Sequence, residues 1–462
     1  MKTTQGNAKV TGKEKLSYGL YFMGQNIFFG IVGMMTTYFT DIGIAAATVA
    51  VVALITKVWD AINDPIFGML MDKIKFKRGK FIPWLRISLV AIPLATIFMF
   101  VIPSSLPMMA KAIWATIAYM LWDTAYTICD VPIFGLVTTM TNDQNERLSL
   151  NSIGRLFAIF AGILVAVGIP MFRQAVGGWG PMVIILSIIG TAVMIPICFF
   201  AKERVFEQEE VLSGKEENYT IRDMARCIVS NKYLLIFFSS SIVSSLLNVG
   251  ASWGIYLARY CYGGEEQASV VTLAAIIPTL LGAAMTPVLC RKFDKFKVIY
   301  ASGVIGMVIN VIKFIAGYQN FTVFLALSAL GALPGGVSVM LLYKFTPDCY
   351  EYAQYKTGLK LRGVTFAAQT FFIKLGTALS TAISTFALTF IGFVEGEGAV
   401  QAVGFADKLW NFSNLGGILG GIATLVILSF YKLNDHDVQL MAKYNVGEIT
   451  REEAESQMKR RY

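Results

Sequence analysis

Apolar positions in this chain run in blocks of about twenty or more residues, the length at which a helix crosses a hydrocarbon core of ~30 Å. About twelve such blocks are present, over residues 17–40, 46–71, 82–103, 109–140, 150–173, 179–201, 233–260, 267–290, 298–317, 321–346, 361–393 and 406–431. Several are long enough to require tilt or a broken end. The pattern predicts an all-α integral membrane protein with about twelve transmembrane helices. The polar, basic N-terminus runs directly into a full-length block, which is not the layout of a cleavable signal peptide.

Composition strengthens this picture. With 55% hydrophobic and 15% charged residues over 462 positions, and a mean hydropathy of +0.61, the chain is too apolar for a soluble enzyme of its size. A net charge of +9 raises the question of nucleic acid, but the placement of the basic residues answers it. Lys and Arg fill every second connection: Lys9, Lys13 and Lys15 before the first block, Lys73 to Lys80, Arg147, Lys202 to Lys232, Arg291 to Lys297, then Lys356 and Lys360. The connections between them are poor in basic residues. This alternation predicts an integral plasma (inner) membrane protein with both termini cytoplasmic. Anionic lipid accounts for the basic balance, with no nucleic acid partner. The six cysteines show no pairing or metal spacing, and the single histidine, His436, lies near the C-terminus. No enzyme is expected, because no His-based metal site or catalytic triad can form within the membrane.

The longest polar interruption, 201–232, carries Lys202, Glu203, Arg204, Glu207 and further charges, and divides six blocks from six. The basic loop Asp72 to Lys80 after the second block is echoed by Arg291 to Lys295 after the eighth. These features predict an N-terminal six-helix bundle over 1–201, a cytoplasmic linker over 202–232, a C-terminal six-helix bundle over 233–432 and a cytoplasmic tail over 433–462, which is the major-facilitator architecture. The tail reads as a solvated amphipathic or disordered segment. Gly416, Gly417, Gly420 and Gly421 lie inside an apolar block with no preceding strand, so helix packing through small residues explains them better than nucleotide binding.

Ionisable residues inside a span cost roughly 2.5 to 3.5 kcal/mol each on insertion scales and so call for a reason. At about 100° per residue, with Lys57 at zero, Asp60 falls near 300°, Asn63 near 240° and Asp64 near 340°, one face of about 120°. A snorkelling lysine with a structural ion pair explains Lys57 and one aspartate; the second aspartate leaves a surplus that a proton or a cation must neutralise. The fourth block repeats the device, with Asp123, Tyr126, Thr127, Asp130 and Phe134 on one side. A carboxylate near an aromatic ring suits a sugar, whose hydroxyls need charge-assisted hydrogen bonds and whose apolar face needs a flat surface. Counting Asp60, Asp64, Asp123 and Asp130 against Lys57, Arg155 and Lys374 gives four negatives to three positives, which one monovalent cation balances. Oxygen ligands from Asp60, Asn63, Asp64 and Thr127 suit a hard ion such as Na⁺.

At these residues the chain resembles the glycoside-pentoside-hexuronide:cation symporter family of the major facilitator superfamily. The resemblance rests on Lys15-Leu16-Ser17-Tyr18-Gly19, Tyr38-Phe39-Thr40-Asp41, Trp59-Asp60-Ala61-Ile62-Asn63-Asp64-Pro65-Ile66, Arg78-Gly79-Lys80-Phe81 with Pro83-Trp84, Tyr126-Thr127-Ile128 with Asp130 and Pro132, and Gln369-Thr370 with Lys374. It implies a cation site at Asp60, Asn63, Asp64 and Thr127. It further implies sugar binding at Asp130 and Arg155, with Lys374 near both. Asn26, Tyr126 and Phe134 are further candidates for the substrate. A well-studied galactoside carrier of the family has a Lys-Asp pair where this chain has Gln25-Asn26, a tryptophan in place of Phe134 and a glycine in place of Asp123. The lost carboxylate eases entry of an anionic sugar and Asp123 opposes it, so both substrate classes stay open. The loop with Asp72, Arg78 and Lys80 resembles the superfamily's cytoplasmic motif, which implies gating by ion pairs made in one conformation and broken in another.

The sequence thus points to a symporter coupled to a cation, Na⁺ by ligand type, that imports a sugar, glycoside or hexuronide as a monomer in the lipid bilayer, with no cofactor beyond the coupling ion. The alternatives are coupling to protons, a lipid-like cargo, or a sugar sensor that does not transport.

Overall fold

The computed structural model describes residues 10–74, 76, 79–141, 143–204, 229, 231–358 and 362–460. Two compact units divide the chain. Unit 1 comprises residues 1–212 with 388–402, and unit 2 comprises 213–387 with 403–462. Segment 388–402, which the sequence places in the second bundle, therefore belongs to the first. Most of the 202–232 linker lies outside the described residues.

Unit 1 contains α1 (Gly12–Gly33), α2 (Met35–Asp41), α3 (Ala46–Lys73), α4 (Ile82–Phe100), α5 (Met108–Met140), α6 (Gln144–Phe172), α7 (Trp179–Met194) and the short α8 (Ile197–Phe200). Unit 2 contains α9 (Lys232–Leu247), a 3-10 turn (Val249–Ser252), α10 (Gly254–Tyr262), α11 (Glu266–Lys292), α12 (Lys295–Ala316), α13 (Phe321–Thr357), most of α14 (Arg362–Phe390), α15 (Phe405–Leu428), α16 (Asp435–Asn445) and α17 (Arg451–Gln457). Every apolar block becomes one helix or an interrupted one. Pro196, which has no amide hydrogen to donate, stands where α7 gives way to α8. At the α9–α10 break Ser384 Oγ of α14 donates to the Val249 carbonyl (2.6 Å), satisfying a backbone acceptor there, and the Trp253 side chain donates through Nε1 to the Ser384 carbonyl in return (3.1 Å). An apolar medium demands that satisfaction. Nine helical segments among the described residues are long and apolar enough to span a membrane. Large apolar side chains such as Val58, Leu94, Ile188 and Phe390 face outward, where lipid solvates them. The chain is a multi-pass membrane protein.

In unit 1, α1 packs against α6 and α7 through small residues: a Cβ at Gly24 would lie 2.3 Å from the Gly190 carbonyl, so only glycine permits that approach. The glycines of α15 act in the same way, since a Cβ at Gly416 would lie 2.5 Å from the Leu247 carbonyl. The start of α4 is held by one carboxylate. Glu203 accepts from the amides of Lys80 (2.7 Å), Phe81 (2.9 Å) and Ile82 (2.8 Å), satisfying donors that a helix start otherwise leaves open.

Of the two readings of the tail, amphipathic or disordered, the structure has the amphipathic one, with one face docked and not solvated throughout. Asn434 Oδ1 accepts from the Asp437 amide (2.9 Å), and Thr450 forms a capping box with Glu453, so α16 and α17 start at defined points. α16 buries Asp437, Val438, Leu440 and Met441. Asn445 Nδ2 donates to the Glu351 carbonyl (3.0 Å) and the Tyr355 hydroxyl to Glu455 Oε1 (3.0 Å), which fastens the tail to α13. Polar composition alone hid these anchors.

Candidate cation and sugar site

Two polar clusters lie along α5 of unit 1. At the first, α3 meets α5 through a hydroxyl. Asn63 Nδ2 donates to Thr127 Oγ1 (2.8 Å), and Thr127 Oγ1 lies 3.1 Å from Asp64 Oδ1 and 3.0 Å from the Asp123 carbonyl. A hydroxyl has one proton and two lone pairs, so Thr127 cannot donate to both acceptors at full strength. Turning the proton to the Asp123 carbonyl leaves an oxygen lone pair directed towards Asp64. That half-turn converts the cluster from a hydrogen-bonded pair into two oxygens facing one position. Lys57 Nζ lies 3.5 Å from Asp60 Oδ2, as the shared face of α3 predicts, so one of the two α3 carboxylates has a cation within its own helix. Trp59 Nε1 donates to Thr124 Oγ1 (3.1 Å), tying α3 to α5 one turn away from the cluster. The oxygen donors of Asp60, Asn63, Asp64 and Thr127 fit a hard monovalent ion by their chemistry. Asn63 must rotate its amide to offer oxygen, because its nitrogen faces Thr127 in this arrangement. Asp123, at 6% exposure, adds a further carboxylate inside unit 1.

At the second cluster, α1 meets α5 through an amide. Gln25 Nε2 donates to Asp130 Oδ1 and lies 3.2 Å from the Tyr126 hydroxyl. Gln25 is 1% exposed and its Oε1 has no hydrogen-bond partner among the described residues. The fully buried Tyr18 hydroxyl has none either. The Tyr126 ring is stacked on Trp122 (centroids 4.9 Å apart) and tilted against Phe29 (5.6 Å). Buried polar atoms without partners cost free energy, and a hydroxyl-bearing ligand could relieve that cost.

Asn26 is turned elsewhere: its Nδ2 donates to the Phe22 carbonyl of its own helix (2.8 Å). Phe134 is half-exposed and sits edge-on to Phe22 at 5.3 Å. Arg155 is exposed on α6 of unit 1, and Lys374 is exposed on α14 of unit 2. Lys80 contributes its backbone amide to the Glu203 cap. Arg78 and the side chain of Asp72 lie outside the described residues, as does the side chain of Thr370. Gln25 is the residue that reading the sequence for charge passes over. Its helical phase is the available signal, because Tyr18, Tyr21, Gln25 and Phe28 recur every three or four residues and are all fully or almost fully buried.

A helical membrane protein in two compact units, with paired carboxylates inside its spans, defines the class of secondary carriers. Within that class the chain belongs to the MFS/sugar transport protein family, which it matches over residues 17–435, and within it to the glycoside-pentoside-hexuronide:cation symporters. It is 28% identical over 438 residues to the uncharacterized symporter YjmB of Bacillus subtilis, covering 92% of this chain and 93% of that one. It is 24% identical to the isoprimeverose transporter of Lactiplantibacillus pentosus, over 94% of this chain and 91% of that one. The fold matches that of the nucleoside transporter NupG with a TM-score of 0.62 at 11% identity, over 90% of this chain and 99% of that one.

Proposed function

We propose that the protein is a secondary symporter that imports a neutral sugar or glycoside together with Na⁺ by alternating access, with both termini in the cytoplasm. The observation that supports the reading is the Thr127 hydroxyl of α5 lying 3.1 Å from the Asp64 carboxylate of α3, beside Asn63, since a hydroxyl and a carboxylate are groups that a hard ion takes as ligands. On this reading Asp60, Asn63, Asp64 and Thr127 hold the ion, while Gln25, Tyr126 and Asp130 hold sugar hydroxyls, with Arg155 and Lys374 as further substrate contacts. The ion and the sugar share α5. Ordering Thr127 by the ion therefore steadies Tyr126 and Asp130, on the preceding residue and three residues on. Linkage requires each ligand to raise the affinity for the other by the same factor. At this cluster the Asp130 carboxylate and the uncharged Gln25 amide suit neutral hydroxyls, which supports a neutral cargo even with Arg155 and Lys374 among the further contacts.

Proton coupling is the second reading, favoured by the buried Asp123 carboxylate. Proteoliposomes tested with isoprimeverose and with a glucuronide decide between these. A Na⁺ gradient should drive accumulation of the neutral sugar with substrate-dependent ²²Na⁺ entry. Asp64→Asn should abolish accumulation while leaving downhill flux. Accumulation driven by Na⁺ in both Asp60→Asn and Asp64→Asn would refute the cation assignment, and a proton gradient sufficing without Na⁺ would establish the second reading.

A further inference from the structure

Four helix ends of unit 2 meet around one phenylalanine. The Phe324 ring, near the start of α13, has the Tyr262 ring stacked on it (centroids 4.9 Å apart), the Trp410 ring edge-on to it (5.6 Å) and the Lys313 ammonium 5.8 Å from its centroid. Tyr262 closes α10, Lys313 lies in the last turn of α12 and Trp410 near the start of α15. All four ends border connections poor in basic residues, so the rule that distributes Lys and Arg by topology gives no reason for a lysine here.

Each of these three side chains carries a donor without an acceptor. Trp410 is 3% exposed, and its Nε1 has no hydrogen-bond partner among the described residues; the enclosed Tyr262 hydroxyl has none either. Lys313 is half-buried, with no carboxylate at ion-pair distance among the described residues. The acid of the cluster is engaged elsewhere: Asp407 Oδ1, one turn before Trp410, accepts from the Tyr318 hydroxyl (2.7 Å). The helix dipole and the Phe324 ring favour an ammonium at the end of α12. Neither of them supplies an acceptor to the two enclosed donors, and polar groups buried without partners cost free energy.

We propose that this cluster binds the phosphate of an anionic phospholipid headgroup, with the Lys313 ammonium, the Trp410 indole N–H and the Tyr262 hydroxyl as its donors. Its position selects a lipid over a soluble anion. The helices that carry Lys313 and Trp410 both present apolar stripes to the outside, Val308, Ile312 and Ile315 on α12 and Leu415 and Leu419 on α15. Acyl chains lie against such stripes, and a headgroup above them stands at the level of the helix ends. A lysine among Tyr and Trp matches that interface layer, where each side chain keeps an apolar body and a polar tip. One ammonium without a counter-charge favours a headgroup of net negative charge, such as phosphatidylglycerol, because the choline of phosphatidylcholine brings a second positive charge. The two ring donors are enclosed, so the phosphate reaches them as the Lys313 stem turns, the part of the cluster with the most rotatable bonds. The site shares no residue with the ion and sugar clusters of unit 1.

The full chain in dodecyl maltoside micelles, which hold no phosphate, tests this through nuclear magnetic resonance of its indole N–H groups. Seven tryptophans give seven signals, and that of Trp410 is the one lost in Trp410→Phe. As phosphatidylglycerol is titrated into the micelles, the Trp410 signal should move downfield and saturate. In Lys313→Met, which keeps an unbranched side chain against Phe324, half-saturation should rise about tenfold or more, as expected for loss of a charge-assisted hydrogen bond. Lys313→Arg should restore most of it, and the six other indole signals report that each variant is folded. A Trp410 signal that stays in place throughout would overturn the proposal, leaving a packed aromatic cluster, and so would a titration unaltered in Lys313→Met. An equal response to phosphatidylcholine would overturn the anionic headgroup. An equal response to inorganic phosphate would overturn the lipid and make the cluster a site for a soluble oxyanion.

Discussion

The two polar clusters along α5 are built from the same kinds of atom and differ in what closes them. Where α3 meets α5, a hydroxyl stands between an amide and a carboxylate, and one rotation of its proton changes which oxygens face the site. Where α1 meets α5, a buried amide spends both hydrogens on Asp130 and Tyr126, and its own oxygen has no partner among the described residues. The first cluster can exchange a hydrogen bond for an ion without moving a helix. The second gains a bond only by receiving a donor from outside, which suits a cargo rich in hydroxyls. One helix carrying both clusters is a short route for coupling, and the contrast predicts that ion and sugar affinities can be damaged separately.

The largest separation is expected from Thr127→Val, which keeps the side-chain shape and removes the hydroxyl. A hydrogen bond to a charged group contributes roughly 1.5 to 3 kcal/mol. Half-saturation by Na⁺ should therefore rise about tenfold to a hundredfold, while downhill sugar flux without Na⁺ changes little; Thr127→Ser should recover most of the loss. Equal damage to both ligands would show that the clusters act as one. Gln25→Leu is the converse experiment. It removes two donors and the unpartnered acceptor, so half-saturation by the sugar should rise about tenfold or more with the Na⁺ dependence retained. Direct binding of the sugar, by calorimetry at saturating Na⁺, separates this from a loss of folded protein. Trp59→Phe removes a neutral hydrogen bond that ties α3 to α5, at a cost of about 1 kcal/mol in stability. Both affinities should fall together by a few-fold at most, because the shared α5 packing is loosened and neither cluster is altered.

Much of this was legible in the chain. Blocks of apolar residues locate the spans because a bilayer imposes both a length and a composition on each helix, and the face of α3 follows from helical phase. The Lys57–Asp60 pair is a direct result of that phase. Three features were not legible. Within unit 1, segment 388–402 meets residues around 41 and 173, and no local pattern reports a contact between segments so far apart in sequence. The tail's order comes from Asn434, Thr450 and Asn445 acting on partners that only the fold supplies. Gln25 was overshadowed by its neighbour because reading for charge asks which carboxylate is missing, while burial asks which polar group is enclosed.

Asn26→Ala therefore sharpens the comparison most finely, though its effect is the smallest. The two adjacent amides point differently: Gln25 reaches Asp130 and Tyr126 across to α5, whereas Asn26 returns its amide to the Phe22 carbonyl one turn back. A side chain bonded to its own helix competes weakly with the backbone ladder, so its removal alters little beyond local propensity. Sugar half-saturation in Asn26→Ala should stay within about twofold of the unaltered protein, against about tenfold or more for Gln25→Leu. If the order is reversed, with Asn26→Ala damaging sugar binding and Gln25→Leu sparing it, the sugar cluster is formed by a rotated α1, and the assignment of Gln25 to the cargo falls while the Thr127 cluster stands.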